Sequence, residues 1–106
     1  MKLITKAIEK SLPPIYHTKD MTEGEKKVVV KFFTPDAQVT WYVIEGEKRE
    51  DGEWDFFGFI DAGDPAYAEY GYFTLSQLLN VRGQFGLPVE RDIHFTGTMA
   101  DVKNLK

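Results

Sequence analysis

The sequence predicts an α+β fold, in which a small antiparallel sheet of four to five strands carries two short helices packed on it. Three observations predict this class. Short segments of alternating or continuous apolar character indicate strands in the middle of the chain. Apolar residues at helical spacing occur near the start of the chain and again after Phe73. The strands follow one another with short connections, which favours a meandering antiparallel sheet.

The first elements are a helix and a strand joined by a charged connection. Residues 3–12 place apolar side chains at helical spacing and predict an amphipathic helix, which the following pair of prolines ends. Residues 15–27 are expected to form an exposed connection. Residues 28–34 are rich in β-branched and aromatic side chains and predict the first strand, with a turn at Pro35.

The next two strands are predicted at residues 39–45 and 54–61, as the arms of a hairpin. Asp51 and Gly52, in the charged loop between them, are a strong turn signal. Both faces of this strand pair are apolar in the middle. The sheet is therefore expected to be covered on both sides, or covered on one side and exposed for binding on the other.

The C-terminal part is predicted to contain a strand at residues 70–73 followed by a second helix. Thr74 and Gln77 form the pattern of a capping box at the start of this helix. Gly83 stands where a left-handed C-cap would end the helix, and Gly86 is expected in a turn.

The chain is predicted to end in an edge strand at residues 93–96, directly after the charged tripeptide 90–92. The tail after Gly97 is expected to be loosely held. The sequence shows no internal repeat or domain boundary, and its 106 residues suit a single domain spanning 1–106.

Composition limits the cellular setting. The chain has no cysteine, which excludes disulfides and cysteine-bound zinc and fits a reducing cytoplasm. No apolar run reaches the roughly 20 residues needed to span a bilayer. We therefore expect a soluble, cytoplasmic protein without a cleaved signal peptide and without a membrane partner.

Several short strings occur in a recognisable order along the chain. They are LPP at 12–14, KFFTP at 31–35, TWY at 40–42, EG at 45–46, FFG at 56–58 and, within residues 71–92, GYFTL, VRG and GLPVERD. With these strings the chain resembles a bacterial family filed as domain of unknown function 2958, carried by plasmids, integrative elements and phages. The resemblance implies a cytoplasmic accessory role in a mobile element and supplies no catalytic residues. Thr74 and Gln77 stand where the family pattern has serine and glutamate, and both preserve the capping box.

Charge is unevenly distributed along a chain whose net charge is −4. Residues 1–31 carry a net charge of +3, whereas residues 45–69 carry nine carboxylates against Lys48 and Arg49, a net charge of −7. A strongly basic patch, which is typical of nucleic-acid-binding proteins, is not indicated. The acidic segment is either a solvated loop face or a surface that engages a basic groove of another protein, as nucleic-acid mimics do.

Glu90, Arg91 and Asp92 are the best candidates for a specific site. In an extended segment the two carboxylates project to one face and the guanidinium to the other. The carboxylates can bind a cation or a partner's arginine, and Arg91 can bind a carboxylate or phosphate. The structural alternative is an internal salt bridge in which Arg91 fixes the final strand.

An enzymatic alternative uses Glu90, Asp92 and His94, and it requires a concave pocket that brings these groups together. His17 and His94 show neither HxH nor HExxH spacing, so the sequence predicts no metal site and no cofactor. No serine lies in a nucleophile-elbow motif.

Aromatic residues of the predicted strands raise the alternative of a stacking platform for single-stranded nucleic acid. Such platforms need a basic groove, whereas the neighbouring charges are those of Glu45, Glu53, Asp55 and Asp61. Core packing explains most of these rings. The residues concerned are Trp41, Tyr42, Trp54, Phe57, Phe59, Tyr70 and Tyr72.

We expect a non-enzymatic accessory factor of a mobile element that acts by protein–protein interaction, against a host defence protein or a nucleic-acid-processing protein. Its predicted surface combines the acidic hairpin with the 82–92 segment. The candidate partner-binding residues are Arg82, Glu90, Arg91, Asp92, Glu47, Glu50, Asp51 and Glu53. The single-stranded nucleic-acid-binding module and the enzyme remain the alternatives.

Overall fold

A computed structural model describes residues 2–104 and confirms the α+β class. This range contains a five-stranded antiparallel sheet, a two-stranded sheet and three short α-helices. No helix in residues 2–104 has the length and apolar character needed to cross a membrane. The elements in chain order are α1 (Lys6–Ser11), β1 (Lys27–Val28), β2 (Val30–Phe33), β3 (Thr40–Lys48), β4 (Trp54–Asp61), β5 (Glu69–Thr74), α2 (Leu75–Asn80), β6 (Glu90–Arg91), β7 (Gly97–Thr98) and α3 (Met99–Lys103), with short 3-10 helices at Glu23–Glu25 and Pro65–Tyr67.

The large sheet has the strand order β5-β4-β3-β2-β6, and β1 pairs with β7 in the small sheet. The hairpin of β3 and β4 forms its centre, with a register that runs from Thr40 opposite Asp61 to Lys48 opposite Trp54. The predicted strand at residues 54–61 coincides with β4, and the predicted strand at 70–73 lies within β5. These strands follow the apolar pattern closely because each pairs with its neighbour in sequence.

Each face of the large sheet packs against a different part of the chain. We call the face covered by α1 and α2 the helical face; its buried residues include Leu3, Ile4, Leu12, Trp41, Val43, Trp54, Phe56, Phe73 and Leu78. We call the opposite face, on which α3 and β1 pack, the aromatic face; its buried residues are Val28, Ile44, Phe59 and Met99. Apolar residues on both sides of the central strands therefore find cover, as their pattern predicts.

The first helix is shorter than the predicted range of residues 3–12. Thr5 is its N-cap, and the Thr5 hydroxyl accepts a hydrogen bond from the Ile8 N–H at 3.2 Å. Leu3 and Ile4 are buried on the helical face without being helical. Apolar residues just before an N-cap extend the periodic pattern beyond the helix, which is why the prediction started too early.

The single strand predicted at residues 28–34 is wrong, since the segment contributes to two sheets. Val28 pairs with Gly97 in the small sheet, while Val30 pairs with Val43 in the large one. The Val29 N–H donates to the Val43 carbonyl at 2.9 Å between the two strands. Sequence pattern could not separate them because both halves are equally apolar and β-branched.

The predicted capping box of the second helix is confirmed, but its predicted C-cap is wrong. The Thr74 hydroxyl accepts from the Gln77 N–H at 3.2 Å, and the Gln77 side chain accepts from the Thr74 N–H at 2.9 Å. The helix ends at Asn80, and its C-cap residue, Val81, is extended. Gly83 is needed for a different reason, because a Cβ there would lie 1.6 Å from Asp36 Oδ1.

The predictions for the end of the chain are also wrong. Residues 93 and 94 form a turn and residues 95 and 96 have no regular structure, so this segment is not an edge strand; the Asp92 carboxylate accepts from the His94 N–H at 2.9 Å. The segment after residue 96 is not loosely held: Gly97 pairs with Val28, and Met99 in α3 is fully buried. Capping by Thr98 and contacts with distant residues hold it, and its last two residues lie outside the described range.

Candidate functional site

The most distinctive surface feature is a row of seven aromatic rings along the aromatic face, which we call the aromatic row. Adjacent ring centroids lie between 5.1 and 6.4 Å apart, within the range of favourable aromatic pairs. The rings belong, in spatial order, to Tyr16, Tyr72, Phe57, Tyr70, Phe59, Tyr42 and Phe95.

Strand alternation builds the centre of this row. Phe57 lies opposite Tyr72, and Phe59 lies opposite Tyr70, in the antiparallel pair of β4 and β5. Opposite residues share a face, and residues two apart on a strand do so too, so these four rings meet side by side. Tyr42 joins them because it lies opposite Phe59 on β3.

The row uses five of the seven aromatic residues that the sequence nominated for a stacking platform. The other two, Trp41 and Trp54, are buried on the helical face at 7% exposure each and stack or pack within the core. The structure adds Tyr16 and Phe95, which come from connections rather than from strands.

One end of the aromatic row is covered by two lysines of the protein itself. Lys31 Nζ lies 5.5 Å from the Tyr42 ring centroid and 5.3 Å from that of Phe95. Lys103 Nζ lies 5.2 Å from the Phe59 centroid and 5.7 Å from that of Tyr70. All four distances are within cation–π range.

Lys103 also takes part in a small polar cluster. Its ammonium lies 2.8 Å from the Glu23 carboxylate, which accepts a second hydrogen bond from the Tyr70 hydroxyl at 2.5 Å. Hydrogen bonds from Lys103 and then Tyr70 lower the pKa of Glu23, while burial and then the Glu23 contact raise the pKa of Tyr70. A lysine held between aromatic rings and a carboxylate is thus one interaction that this face already makes.

The other end of the row is open to solvent. We call Tyr16, Phe57 and Tyr72 the open aromatic patch. Tyr16 is 64% exposed and Tyr72 is 57% exposed, and their rings meet edge to face with centroids 6.4 Å apart. Hydrogen bonding to the Tyr16 side chain raises the pKa of the Tyr72 hydroxyl, and burial and the Glu45 carboxylate raise it further.

A buried carboxylate holds Tyr16 in place. Glu45 is only 3% exposed, and its oxygens accept hydrogen bonds from the Tyr16 N–H at 2.8 Å and the Thr18 N–H at 3.0 Å. The Thr18 hydroxyl donates to the same carboxylate. The expectation that residues 15–27 form a merely exposed connection is therefore wrong, since Thr18 is buried and anchored to the sheet.

A β-bulge brings Glu45 to the aromatic face. On β3, Val43 lies opposite Gly58 but Glu45 lies opposite Phe57, so Ile44 is an extra residue in the register. Strict alternation would have placed Glu45 on the helical face with Val43. The bulge explains why a carboxylate that the sequence suggests is solvated is in fact a buried acceptor.

Tyr16 itself has an unusual backbone. Its φ is 74°, in the left-handed region that bulky side chains rarely adopt. The two N–H groups that flank this conformation point at Glu45. Residues held in such sparsely populated backbone conformations cluster at functional sites, and we therefore interpret Tyr16 as a functional residue.

Acidic side chains of the predicted surface surround the open aromatic patch. Glu47 lies opposite Asp55 on the same face as Phe57, and the Glu47 carboxylate accepts from the Ile15 N–H at 3.0 Å. Asp55 forms a bidentate pair with Arg49, with contacts of 2.7 and 2.6 Å that lower its pKa. The hairpin therefore brings carboxylates next to the exposed rings.

The tip of the hairpin holds the remaining acidic candidates. Asp51 Oδ1 accepts from the Glu53 N–H at 2.9 Å, and Glu50 is exposed. Glu53 accepts from the Trp54 N–H at 2.9 Å and from the Ser76 N–H at 3.2 Å. A hydrogen bond from the Ser76 side chain is the main cause of the lowered pKa of Glu53, followed by the Trp54 N–H.

The charged tripeptide lies elsewhere, at the β6 edge of the sheet. Glu90 pairs with Phe33 on β2, and the Arg91 guanidinium donates to the Lys2 carbonyl at 2.7 Å. Asp92 lies 3.5 Å from Lys31 Nζ. The His94 N–H and then Lys31 lower the pKa of Asp92. Arg91 and Asp92 thus tie the edge strand to the N-terminal segment and to β2.

Arg82 follows the C-terminal end of α2. Its guanidinium donates to the Leu79 and Val81 carbonyls at 2.9 and 2.7 Å. The loop that follows is held by Asp36, which accepts from the Phe85 N–H at 2.7 Å in the turn between β2 and β3. This turn lies at one end of β3, and the hairpin tip lies at the other. The tripeptide, which pairs with Phe33 next to this turn, is therefore at the end of the sheet away from the hairpin tip, whereas Ser76 at the start of α2 donates to Glu53 in the hairpin.

Of the three groups of the enzymatic alternative, Asp92 lines two clefts, and Glu90 and His94 line neither of them. Asp92 borders a cleft of about 270 Å³ that Arg91 and Ile93 also line, and a second of about 250 Å³ beside Lys31. His94 is exposed in its turn. Within residues 2–104, no three histidine or acidic side chains come together as a metal site.

The sequence did not predict that Glu45 holds Tyr16 in place and so positions its ring in the open aromatic patch. The only local signal for Tyr16 was its place after a double proline, where the chain must turn. Glu45 carried no signal at all, because its burial depends on the bulge and on a segment far away in sequence.

Comparison with known proteins gives a family and nothing further. A family model described as "Protein of unknown function (DUF2958)" matches residues 3–102, nearly the whole chain. No curated protein and no solved structure matches the chain. The resemblance carried by the sequence strings is confirmed by this match, and its mobile-element part stays a prediction.

Proposed function

We propose that this protein acts by binding another protein rather than by catalysis. Its chain belongs to the DUF2958 family of proteins of unknown function. The binding surface consists of the open aromatic patch and the acidic hairpin beside it. The accessory role in a mobile element is part of the proposal and rests on the family resemblance.

The single observation that carries the proposal is the way Tyr16 is held. A left-handed conformation costs a bulky residue roughly 1–2 kcal/mol. Burial of the Glu45 carboxylate is a further cost, which its three hydrogen bonds offset. The strained backbone and the buried carboxylate together hold the Tyr16 ring, which is 64% exposed, beside the exposed ring of Tyr72. Exposed, rigidly held tyrosines are characteristic of protein-binding sites.

Charge supports a basic partner surface. Glu47 and Asp55 lie on the same face as Phe57, within a segment, residues 45–69, whose net charge is −7. Complementary charge raises the association rate and selects among partners. Host defence proteins and nucleic-acid-processing proteins that bind DNA or RNA carry basic grooves of the required sign.

The test is a capture experiment with a matched pair of double variants. Tagged wild-type protein, a Tyr16→Ser, Tyr72→Ser variant and a Tyr67→Ser, Phe85→Ser variant are compared at near-physiological salt in cells that carry the element. Tyr67 and Phe85 are 70% and 77% exposed but lie outside the aromatic row, so they control for loss of exposed rings in general.

A partner recovered by the wild type and by the control variant, and lost from the patch variant, supports the proposal. Recovery that the patch variant leaves unchanged, or no specific partner at all, contradicts it. Adding Glu90→Ala and Arg91→Ala separately asks whether the β6 edge contributes, which the separation of the two surfaces argues against.

The aromatic row favours one alternative, binding of single-stranded nucleic acid by stacking. Against it stand the lysines already placed over one end of the row and the carboxylates at the other. Titration of labelled oligonucleotides at low salt distinguishes the two functions, because low salt strengthens every phosphate contact. Binding that Tyr72→Ser removes would replace the protein-binding proposal.

A further inference from the structure

Strand β5 forms an open edge of the large sheet, directly beside the open aromatic patch. It has six residues, EYGYFT, and within residues 2–104 its only hydrogen-bonded neighbour in the sheet is β4. Edge strands are usually protected by lysine, proline, a bulge or a short length. The strand contains neither lysine nor proline, and its register with β4 runs without a shift from Glu69 to Thr74.

Gly71, in the middle of this strand, has no evident role within the fold. Its φ is not in the left-handed range, and a Cβ placed there would meet only Ile60 Cδ1, at an ordinary 3.6 Å. Glycine inside a strand weakens it and often marks a close approach by another backbone or ligand. By contrast, Gly58 opposite it is required, because a Cβ there would lie 2.0 Å from the Tyr42 carbonyl oxygen.

We propose that β5 is a strand-addition site for an extended, basic segment of a partner protein. Such a segment would continue the sheet through backbone hydrogen bonds with β5, the mode of recognition known as β-augmentation. Every second side chain of the segment would then lie on the aromatic face beside Tyr70 and Tyr72, and the others on the helical face above Gly71.

The charge of the surroundings selects the basic segment as the occupant. Glu69 begins the strand, and Glu53 and Asp55 lie at its other end. A second copy of the chain would bring these same carboxylates together, which disfavours pairing of two β5 edges. Arginine or lysine at alternate positions meets both the carboxylates and the exposed rings.

The protein already contains the same interaction on the neighbouring rings. Lys103 lies over Phe59 and Tyr70 while pairing with Glu23. Tyr72 and Phe57, the next rings along the row, have the exposed Glu47 carboxylate on the same face, while Asp55 is already paired with Arg49. An arginine from the added strand would therefore find on this part of the face the environment that Lys103 occupies on the other.

The strand-addition site rests on the proposed function, and its test uses defined peptides rather than a cellular partner. The probe is a blocked hexapeptide of alternating arginine and valine. One control is the same peptide methylated at all its backbone amide nitrogens, which keeps the side chains and charge but cannot donate hydrogen bonds to β5. A second control replaces every arginine by glutamate.

We expect the probe to bind, with at least about tenfold weaker binding of the methylated and glutamate peptides. Hydrogen exchange should show added protection of β5 amides, at residues 69–73, when the probe is bound. Tyr72→Ala should weaken binding about tenfold, whereas Tyr67→Ala should not. Gly71→Val, whose added Cβ would meet only Ile60 Cδ1 at an ordinary 3.6 Å, should weaken binding of the probe, and its thermal unfolding temperature should not fall below that of the wild type.

Equal binding of the probe and its methylated copy, or an absence of added protection in β5, overturns strand addition. A mass of two copies in light scattering, lost on Gly71→Val, would identify a second copy of the chain as the occupant and also overturn it. If the cellular partner depends on Tyr16 and Tyr72 but the peptide results fail, the proposed function stands and only the strand-addition site is wrong.

Discussion

Glu45 is the residue on which the shape of the candidate site most depends. It is buried, it lies on a bulge, and it accepts hydrogen bonds from two backbone N–H groups of a segment that is distant in sequence. Its side chain therefore links the β-bulge in β3 to the position of the exposed Tyr16 ring. Two predictions at the level of single residues follow from this arrangement.

Glu45→Ala should lower the free energy of unfolding by about 3 kcal/mol, because it leaves the half-buried Tyr16 N–H, the buried Thr18 N–H and the Thr18 hydroxyl without their acceptor. Urea denaturation measures the change. Glu47→Ala is the matched control, since Glu47 accepts one N–H from the same segment at an exposed position, and should cost less than about 1 kcal/mol. Equal costs for the two variants would contradict the assignment of Glu45 as the anchor.

Replacement of Tyr16 should separate stability from binding. Tyr16→Gly relieves the left-handed conformation, so it should be about 1 kcal/mol more stable than Tyr16→Ala, which keeps the strain. Both variants should lose partner binding equally, because both remove the exposed ring. Thermal unfolding measures the stability of each variant, and the capture experiment measures partner binding. Equal stability of the two variants would show that Tyr16 is not held in that conformation.

At the level of elements, the ends of the helices show where tertiary contacts override local signals. Gly83 has the position of a C-cap in sequence, yet the structure uses it to let Asp36 approach the backbone. Asp36 in turn accepts N–H groups from Phe85 and Leu87, and so holds the long loop before β6. The glycine thus serves loop packing rather than the termination of the helix.

Gly83→Ala should therefore destabilise the protein by about 2–3 kcal/mol, because the new methyl group overlaps the Asp36 carboxylate. Gly86→Ala is the control: its φ is 80° but no atom lies within 4 Å of the added Cβ, so only backbone strain of about 1 kcal/mol is expected. Chemical denaturation of both variants gives the comparison. A cost for Gly83→Ala no larger than that for Gly86→Ala would mean that Asp36 moves aside freely.

The attachment of α3 should depend on pH. The pKa of Glu23 is lowered below its usual 4.5 by hydrogen bonds from Lys103 and Tyr70. A lowered pKa means that the ionised form stabilises the folded state, so this contribution is present above pH 4.5 and is lost as the pH falls through the folded pKa. Protonation removes the pair between Lys103 in α3 and the 3-10 helix at Glu23–Glu25.

Hydrogen exchange of the α3 amides, compared with those of β4, should therefore show a selective loss of protection between about pH 6 and about pH 3. Glu23→Gln should remove this pH dependence, while Glu25→Gln, on the same 3-10 helix, should keep it. A loss of protection that is the same in α3 and β4 would indicate global acid unfolding instead.

For the whole molecule, the decisive property is the separation of charge. The acidic hairpin and the aromatic patch lie together, while the tripeptide Glu90–Asp92 occupies the opposite edge of the sheet. Any partner that binds the patch therefore meets a negative surface. Association should be steered by this field, which dissolved salt screens over about 10 Å at 0.1 M.

Raising salt from about 0.05 M to about 0.5 M should consequently slow association of the arginine–valine peptide about tenfold or more, with a smaller change in its dissociation rate. Stopped-flow or surface-based kinetics can separate the two rates. A Glu47→Gln, Glu50→Gln variant should show a weaker salt dependence, and a Glu90→Gln variant should behave like the wild type. The same salt dependence in all three proteins would remove the hairpin from the binding surface.

Features that depend on neighbouring residues in the chain could be predicted from the sequence. The α+β class, the hairpin around Asp51 and Gly52, and the capping box of Thr74 and Gln77 all follow from local pattern, because each is stabilised by contacts within a few residues. The uneven distribution of charge also follows from the sequence, because it requires only a count of the charged residues in each segment.

Contacts between residues that are distant in sequence depend on the fold and could not be predicted from local pattern. The bulge at Ile44 moved Glu45 to the other face, and this brought the segment with Tyr16 next to Tyr72. The same packing separated the acidic hairpin from the tripeptide, which the sequence had grouped as one surface. The physical reason is that one extra residue reverses the facing of a strand, and its position is set by long-range packing rather than by the residues around it.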